Sequence, residues 1–334
     1  MKKISVITPM YNAEKTIREC MESITGQTIF DDMELIIVDD CSSDKCVETV
    51  MEYEVRYPDN IMLIRLDKNA GPGNARNIAL SYASGEFIGF IDADDAAQPA
   101  MFEKLYDEAV KSDADYVDSG FYDQKKDRAI VFVTDELSGE LNDKKRSDLI
   151  VVGGFIWTKL FRRDFLEGNR IRFRCEYMLE DLDFLVECTA RARRLATVKE
   201  ILYIYRDSGS SLSKLSEPLK YIHNHSSAMK AVYERTHLLP NYGDIREAVE
   251  FVMLTLYSNV INVCTNLVYL NLQPREEVIY ILESLRKLKE SMITCGYDSE
   301  YIRKGISDIN LEIIKANDIS PEALLAMLKD KKED

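Results

Sequence analysis

Three carboxylates, Asp92, Asp94 and Asp95, end the apolar run in EFIGFIDADDAAQP (86–99). Like charges at that spacing repel and raise one another's pKa, so the cluster costs stability unless a cation or a ligand's donors neutralise it. Carboxylate oxygens suit hard Mg2+ or Mn2+. The plainer use of the same residues is to cap a helix beginning near Pro99. Two other local sequences are as unusual: TPMYN (8–12) and DDCSSD (39–44).

The elements that must position these residues are legible in the first hundred positions. KISVIT (3–8), ELIIVD (34–39), IMLIRL (61–66) and EFIGFI (86–91) are short apolar runs rich in β-branched residues, and helical spacings lie between them at Ile17–Ile24, Val47–Val55 and Ile78–Tyr82. Strand alternating with helix implies a mostly parallel sheet covered on both faces. Ligands of such sheets bind beyond the carboxyl ends of the strands, where TPMYN, DDCSSD and DADD all fall. From 115 to 205 the pattern mixes strands (DYVDSGFY, AIVFV, ATVKEILYIYR) with a helix over EDLDFLVECTARARR, and beyond Ser216 nearly everything reads as helix. The expected division is therefore 1–215, made of a regular half (1–100) and a less regular half (101–215), followed by a helical region, 216–334.

A net charge of -15 argues against a nucleic-acid surface. One stretch, from Lys159 to Arg174, is locally basic and could face an anionic ligand or a lipid surface, which allows peripheral membrane contact. Seven cysteines without a Cys-x-x-Cys pair, and a start without an apolar leader, read as a cytoplasmic chain with reduced thiols. FVMLTLYSNVINVCTNLVYLNL (251–272) carries too many amides for a lipid-facing span and reads as a buried helix. Its apolar positions, among them Leu254, Leu256, Val260, Ile261 and Leu267, also predict self-association through the C-terminal helices, with packing inside the chain as the alternative. His223 and His225 point apart on a helix and read as surface.

A dinucleotide site would need Gly-x-Gly-x-x-Gly where PMYNAE stands. A haloacid-dehalogenase-like phosphatase would need its aspartates on the first strand, and a nucleotidyltransferase a Gly-rich basic loop there. A single reading uses all the strand ends. In it Pro9 and Tyr11 pack against a nucleobase, Asp39 accepts from it, and the carboxylates around Asp94 hold a divalent cation on a diphosphate.

On these residues the sequence resembles the family 2 glycosyltransferases, inverting enzymes of the GT-A fold. The stretches that carry the resemblance are SVITPMYNAEKTIRECMESITGQT, ELIIVDDCSSD, NAGPGNARNIALSYASGEFIGFIDADD, IWTKLFRRDFL, LEDLDFL and YIYRDSGSSLS, within residues 3 to about 215. The resemblance implies a metal-dependent, non-processive transferase that moves a hexose or N-acetylhexosamine from a UDP-sugar to a glycan or lipid-linked acceptor in cell-surface polysaccharide synthesis. It implies Pro9, Tyr11, Asp39 and Arg76 around uracil, Asp92 beside ribose and metal, Asp94 on Mn2+ or Mg2+, and Arg206 and Ser211 on the diphosphate. Asp181 would be the general base, and Trp157, Lys159 and Glu180 would line the acceptor side. A catalytically inactive scaffold of the same fold is the alternative, and the intact carboxylates speak against it. Cys41 stands where the family usually has glycine, and Thr158 where Asn is commoner.

Overall fold

A computed structural model describes residues 2–175, 178–206, 217–270 and 272–330. Its contacts divide the chain into two compact units, Met1–Leu212 and Ser213–Asp334.

In the first unit, the described residues form one ten-stranded mixed sheet. The strands are β1 (Ile4–Met10), β2 (Met33–Asp39), β3 (Ile61–Arg65), β4 (Phe87–Phe90), β5 (Ala96–Ala97), β6 (Tyr116–Asp123), β7 (Arg128–Ile130), β8 (Gly139–Glu140), β9 (Lys159–Arg162) and β10 (Arg194–Tyr205). Their order is β3-β2-β1-β4-β9-β6-β10-β5, with β7 on β6 and β8 on β10. The four strands β3-β2-β1-β4 are parallel, as their unbroken apolar runs predict. Chain order reverses beside β1, between β2 on one side and β4 on the other, which makes the carboxyl ends of β1 and β4 a switch point.

Helices α1 (Ile17–Thr25), α2 (Cys46–Arg56), α3 (Pro72–Tyr82), α4 (Met101–Ser112), α5 (Asp143–Val152), α6 (Arg163–Gly168) and α7 (Glu180–Arg191) complete this unit. β9 has no forecast in the sequence. It runs antiparallel between β4 and β6 and so brings the segment before it, residues 153–158, to the switch-point end of β4.

Within the basic run Lys159 pairs with Asp118, Arg162 with Glu86 and Asp113, Arg172 with Glu167, and Arg174 with Asp183, the first and last of these pairs being largely buried.

The second unit is helical: α8 (Pro218–Thr236), α9 (Tyr242–Tyr269), α10 (Arg275–Met292), α11 (Glu300–Gly305), α12 (Asp308–Ile319) and α13 (Pro321–Asp330). α9 is the one described helix long and apolar enough to cross a membrane, and 61% of its most apolar stretch is buried. Of the apolar positions behind the self-association forecast, Leu254, Leu256, Val260, Ile261 and Leu267 are buried within the single chain and Phe251 is half-buried. His225 is likewise buried, not on the surface, and stacks on Tyr221 at 3.7 Å.

Candidate active site

The loop after β1 and the loop after β2 are tied together at the switch point. Asn12 takes a left-handed φ of 48° and accepts through Oδ1 from the Ser43 amide at 2.8 Å. Asp44 accepts from the Glu14 amide at 2.8 Å. The two aspartates closing β2 divide their work. Asp40 accepts from the Ala70 and Gly71 amides (2.7 and 2.8 Å) and thereby sets the loop into α3. Asp39 accepts from the Ser42 amide at 3.1 Å and faces Arg65 at 3.8 Å. Cys41 follows with φ 65°, a conformation that glycine adopts freely and other residues at a cost. That accounts for glycine being usual at this position. The thiols of Cys41 and Cys175 are exposed, whereas those of Cys20, Cys46 and Cys188 are buried.

The three carboxylates after β4 are in three different situations. Asp95 is buried and fully engaged: its Oδ2 accepts from the Tyr203 hydroxyl at 2.7 Å and its Oδ1 from the Arg206 amide at 2.8 Å. Burial and the charge of Asp92 nonetheless push its pKa up to about 8. Asp92 accepts from Arg76 Nη2 at 2.9 Å, and its amide donates to the Tyr203 hydroxyl at 3.3 Å. Asp94 is half-buried, and its charge reaches Cys20, Asp95 and Tyr205.

Arg76 joins this turn to the start of α7. Its guanidinium is 5% exposed, donates to Glu180 at 2.5 Å as well as to Asp92, and lies 5.5 Å from the Phe173 ring centroid. Burial works against its charge, but Asp92, Glu180 and Asp181 more than compensate and hold its pKa above the usual value. The approach depends on Gly73, one turn earlier on α3: a Cβ there would meet the Arg174 carbonyl oxygen at 2.1 Å. Arg174 in turn donates to the Met178 and Leu179 carbonyls, which turns the chain into α7 with Leu179 at φ 62°. Asp181, half-buried in that first turn, has its pKa pushed up to about 7, chiefly by burial and then by Glu180, with Arg76 opposing. A carboxylate so tuned can hold a proton and release it near neutrality. Among the described residues no three acidic, imidazole or thiol groups converge as a ready metal cage.

Residues 5–169 match the family described as Glycosyl transferase family 2. Through this segment the chain belongs to that family. It is 33% identical over 223 residues to the uncharacterized glycosyltransferase EpsJ of Bacillus subtilis (strain 168), covering 64% of this chain and 63% of that protein. To the minor teichoic acid biosynthesis protein GgaB of the same organism it is 32% identical over 240 residues, covering 66% of this chain and 25% of GgaB. The chain thus spans 63% and 64% of the length of EpsJ and of the next curated relative. The crystal structure of S. aureus TarS 1–349 in complex with UDP-GlcNAc superposes with a TM-score of 0.72 at 21% identity, over 99% of this chain and 92% of that one. The fold is GT-A.

Within this family 2 domain the expected site residues fall into three groups. Pro9, Tyr11, Asp39, Arg76, Asp92, Asp94, Glu180, Asp181 and Arg206 all lie at the carboxyl end of the parallel strands or on the segments facing it. Tyr11 is 52% exposed and available to a ligand, whereas Asp39 is 1% exposed with Arg65 beside it. Arg206 pairs with Glu19 on α1. Ser211 lies outside the described residues.

Four of the expected site residues are engaged within the protein. Arg76 clasps acids between α3 and α7, and Glu180 is one of the two acids that it holds. Lys159 is 3% exposed, its Nζ donating to Asp118 at 2.9 Å and to the Phe155 carbonyl at 3.1 Å, so it supports the wall from within. Trp157 is 5% exposed and has Phe155 stacked on it. Asp40, Tyr203 and Phe155 were not foreseen. The doubled Asp39-Asp40 and the Gly153-Gly154 pair before Phe155 are the signals that could have flagged two of them.

Proposed function

We propose that the first unit is a non-processive, inverting glycosyltransferase that moves a hexose or N-acetylhexosamine from a UDP-sugar to a glycan or lipid-linked acceptor of a cell-surface polymer. The observation that carries this reading is the way Arg76 joins two sets of acids: it pairs with Asp92 in the turn that holds Asp94, and with Glu180 beside Asp181, whose pKa is raised, at the start of α7. The UDP-GlcNAc bound by TarS supports the donor class, and the name of GgaB supports the acceptor class.

In this mechanism Tyr11 covers the base and Asp39 accepts from its ring N–H once Arg65 moves aside. Asp94 fits a divalent cation by its hard oxygens and by the surplus of negative charge that raises Asp95, and it would hold the ion together with the donor's phosphate oxygens. Bound Mg2+ or Mn2+ supplies stabilisation of the charge on the departing diphosphate. Asp181 takes the proton from the acceptor hydroxyl on the opposite face of the sugar, which inversion requires. Arg76 keeps Asp92 and Glu180 fixed, so the base is held without competing for the donor.

Release of UDP from a panel of UDP-sugars with Mn2+, compared with Asp94→Asn, tests the reading. Metal-dependent UDP release that the variant loses is the expected result. No release from any UDP-sugar, or release indifferent to EDTA and to the substitution, would overturn it.

A further inference from the structure

Trp157 has no free ring face. Phe155 lies parallel on one side, with centroids 4.5 Å apart and an interplanar angle of 7°, and Tyr203 stacks on it at 4.3 Å and 20°. Phe121 abuts the indole edge-on at 4.9 Å. Phe155 is the outer member of this stack; Phe121 meets its ring edge-on at 5.6 Å and Phe132 lies tilted against it at 5.8 Å, which leaves it 36% exposed. The inner member, Tyr203, donates to Asp95 and accepts from the Asp92 amide, so one continuous column of rings runs from solvent into the carboxylate turn.

The outer ring is also pinned. Gly153 (φ 71°) and Gly154 (φ 129°) bring the chain up to it, and a Cβ on Gly154 would meet Lys159 Nζ at 2.8 Å. Lys159, anchored on Asp118, holds the Phe155 carbonyl.

We propose that Phe155 is the acceptor-binding platform, its outward face stacking on the apolar C–H face of a pyranose ring of the acceptor glycan, and that Lys159 is its positioning residue. The negative face of an aromatic ring complements the polarised C–H groups of a pyranose, and the ring buries that face without asking for a hydrogen bond. This rests on the glycosyltransferase reading given above and names the part of the acceptor that the site grips.

Saturation-transfer NMR on the full chain with UDP and Mn2+ tests it. The probes are methyl β-glucopyranoside, methyl β-galactopyranoside and methyl N-acetyl-β-glucosaminide, with decyl phosphate as the lipid control. At least one pyranoside should give signals that fall about fivefold in Phe155→Ala and return in Phe155→Trp. Circular dichroism confirms that both variants are folded. Pyranoside signals unchanged in Phe155→Ala, or transfer to decyl phosphate with none to any pyranoside, would overturn the platform. Wild-type protein that binds pyranosides through Phe155 but releases UDP from no UDP-sugar would refute the transferase reading while supporting the platform.

Discussion

Two buried cations sit at the same end of the sheet and are used in opposite ways. Lys159 meets a single acid, Asp118, with side-chain exposures of 4% and 1%, and Thr158 adds a hydrogen bond to the same oxygen at 2.6 Å. Arg76 is shared among Asp92, Glu180 and, through its field, Asp181, so negative charge exceeds positive. A matched pair holds a shape. An over-subscribed cation leaves one carboxylate under-neutralised and therefore reactive near pH 7. Within one cleft, charge balance distinguishes scaffold from chemistry better than burial does.

The matched pair should break hardest. Lys159→Met leaves Asp118 buried without its partner, a loss of about 3–5 kcal/mol that chemical denaturation would register. Unchanged stability would show that this pair is not what holds the segment before β9 in place.

At the over-subscribed centre the largest effect is on rate. Asp181→Asn should lower sugar transfer about 10²-fold or more while UDP-sugar affinity stays within a few-fold. The sign on stability is the reverse of an ordinary active-site loss. A folded pKa near 7 against 3.8 for a free carboxyl means that ionised Asp181 costs stability, a cost absent below about pH 4 and complete above pH 7. The variant should therefore melt higher than wild type at pH 8 and alike at pH 4. A helix-capping Asp would show near-normal transfer and no such gain.

A finer break separates tuning from bracing. Transfer rate should rise with pH through a midpoint near 7 as Asp181 ionises. Glu180→Gln removes the neighbouring charge and frees Arg76 toward Asp181, so the midpoint should fall by about one unit. A midpoint that stays in place would reduce Glu180 to a brace.

The smallest effect concerns the base. UDP should bind roughly tenfold tighter than CDP if Asp39 accepts from the uracil ring N–H, and calorimetric affinities that are equal would remove it from that role.

How much of this the sequence discloses depends on contact range. β1, β2 and β4 are unbroken apolar runs whose ends carry the unusual residues, so the sheet and the three loops of the site are legible locally. The partners are not. Tyr203 reaches Asp95 across 108 positions and Lys159 reaches Asp118 across 41, and nothing near either end announces the other. Lysine in a basic run reads as surface until β9, only four residues long, is known to slot between β4 and β6. The segment just before that strand packs Trp157 inward and leaves Phe155 partly exposed.

The exposed thiols have a practical consequence. In the first unit Cys41 and Cys175 are open to solvent while Cys20, Cys46 and Cys188 are buried. Cys41 follows β2, and Cys175 lies against Asn74 and Asn77 of α3, just ahead of α7. Under the transferase reading these are labelling handles on the proposed donor side and beside the helix of the proposed base. Nitroxides attached there, with Cys295 replaced to silence the half-exposed thiol of the second unit, would give a spectroscopic ruler that reads the width of the opening as donor and product exchange.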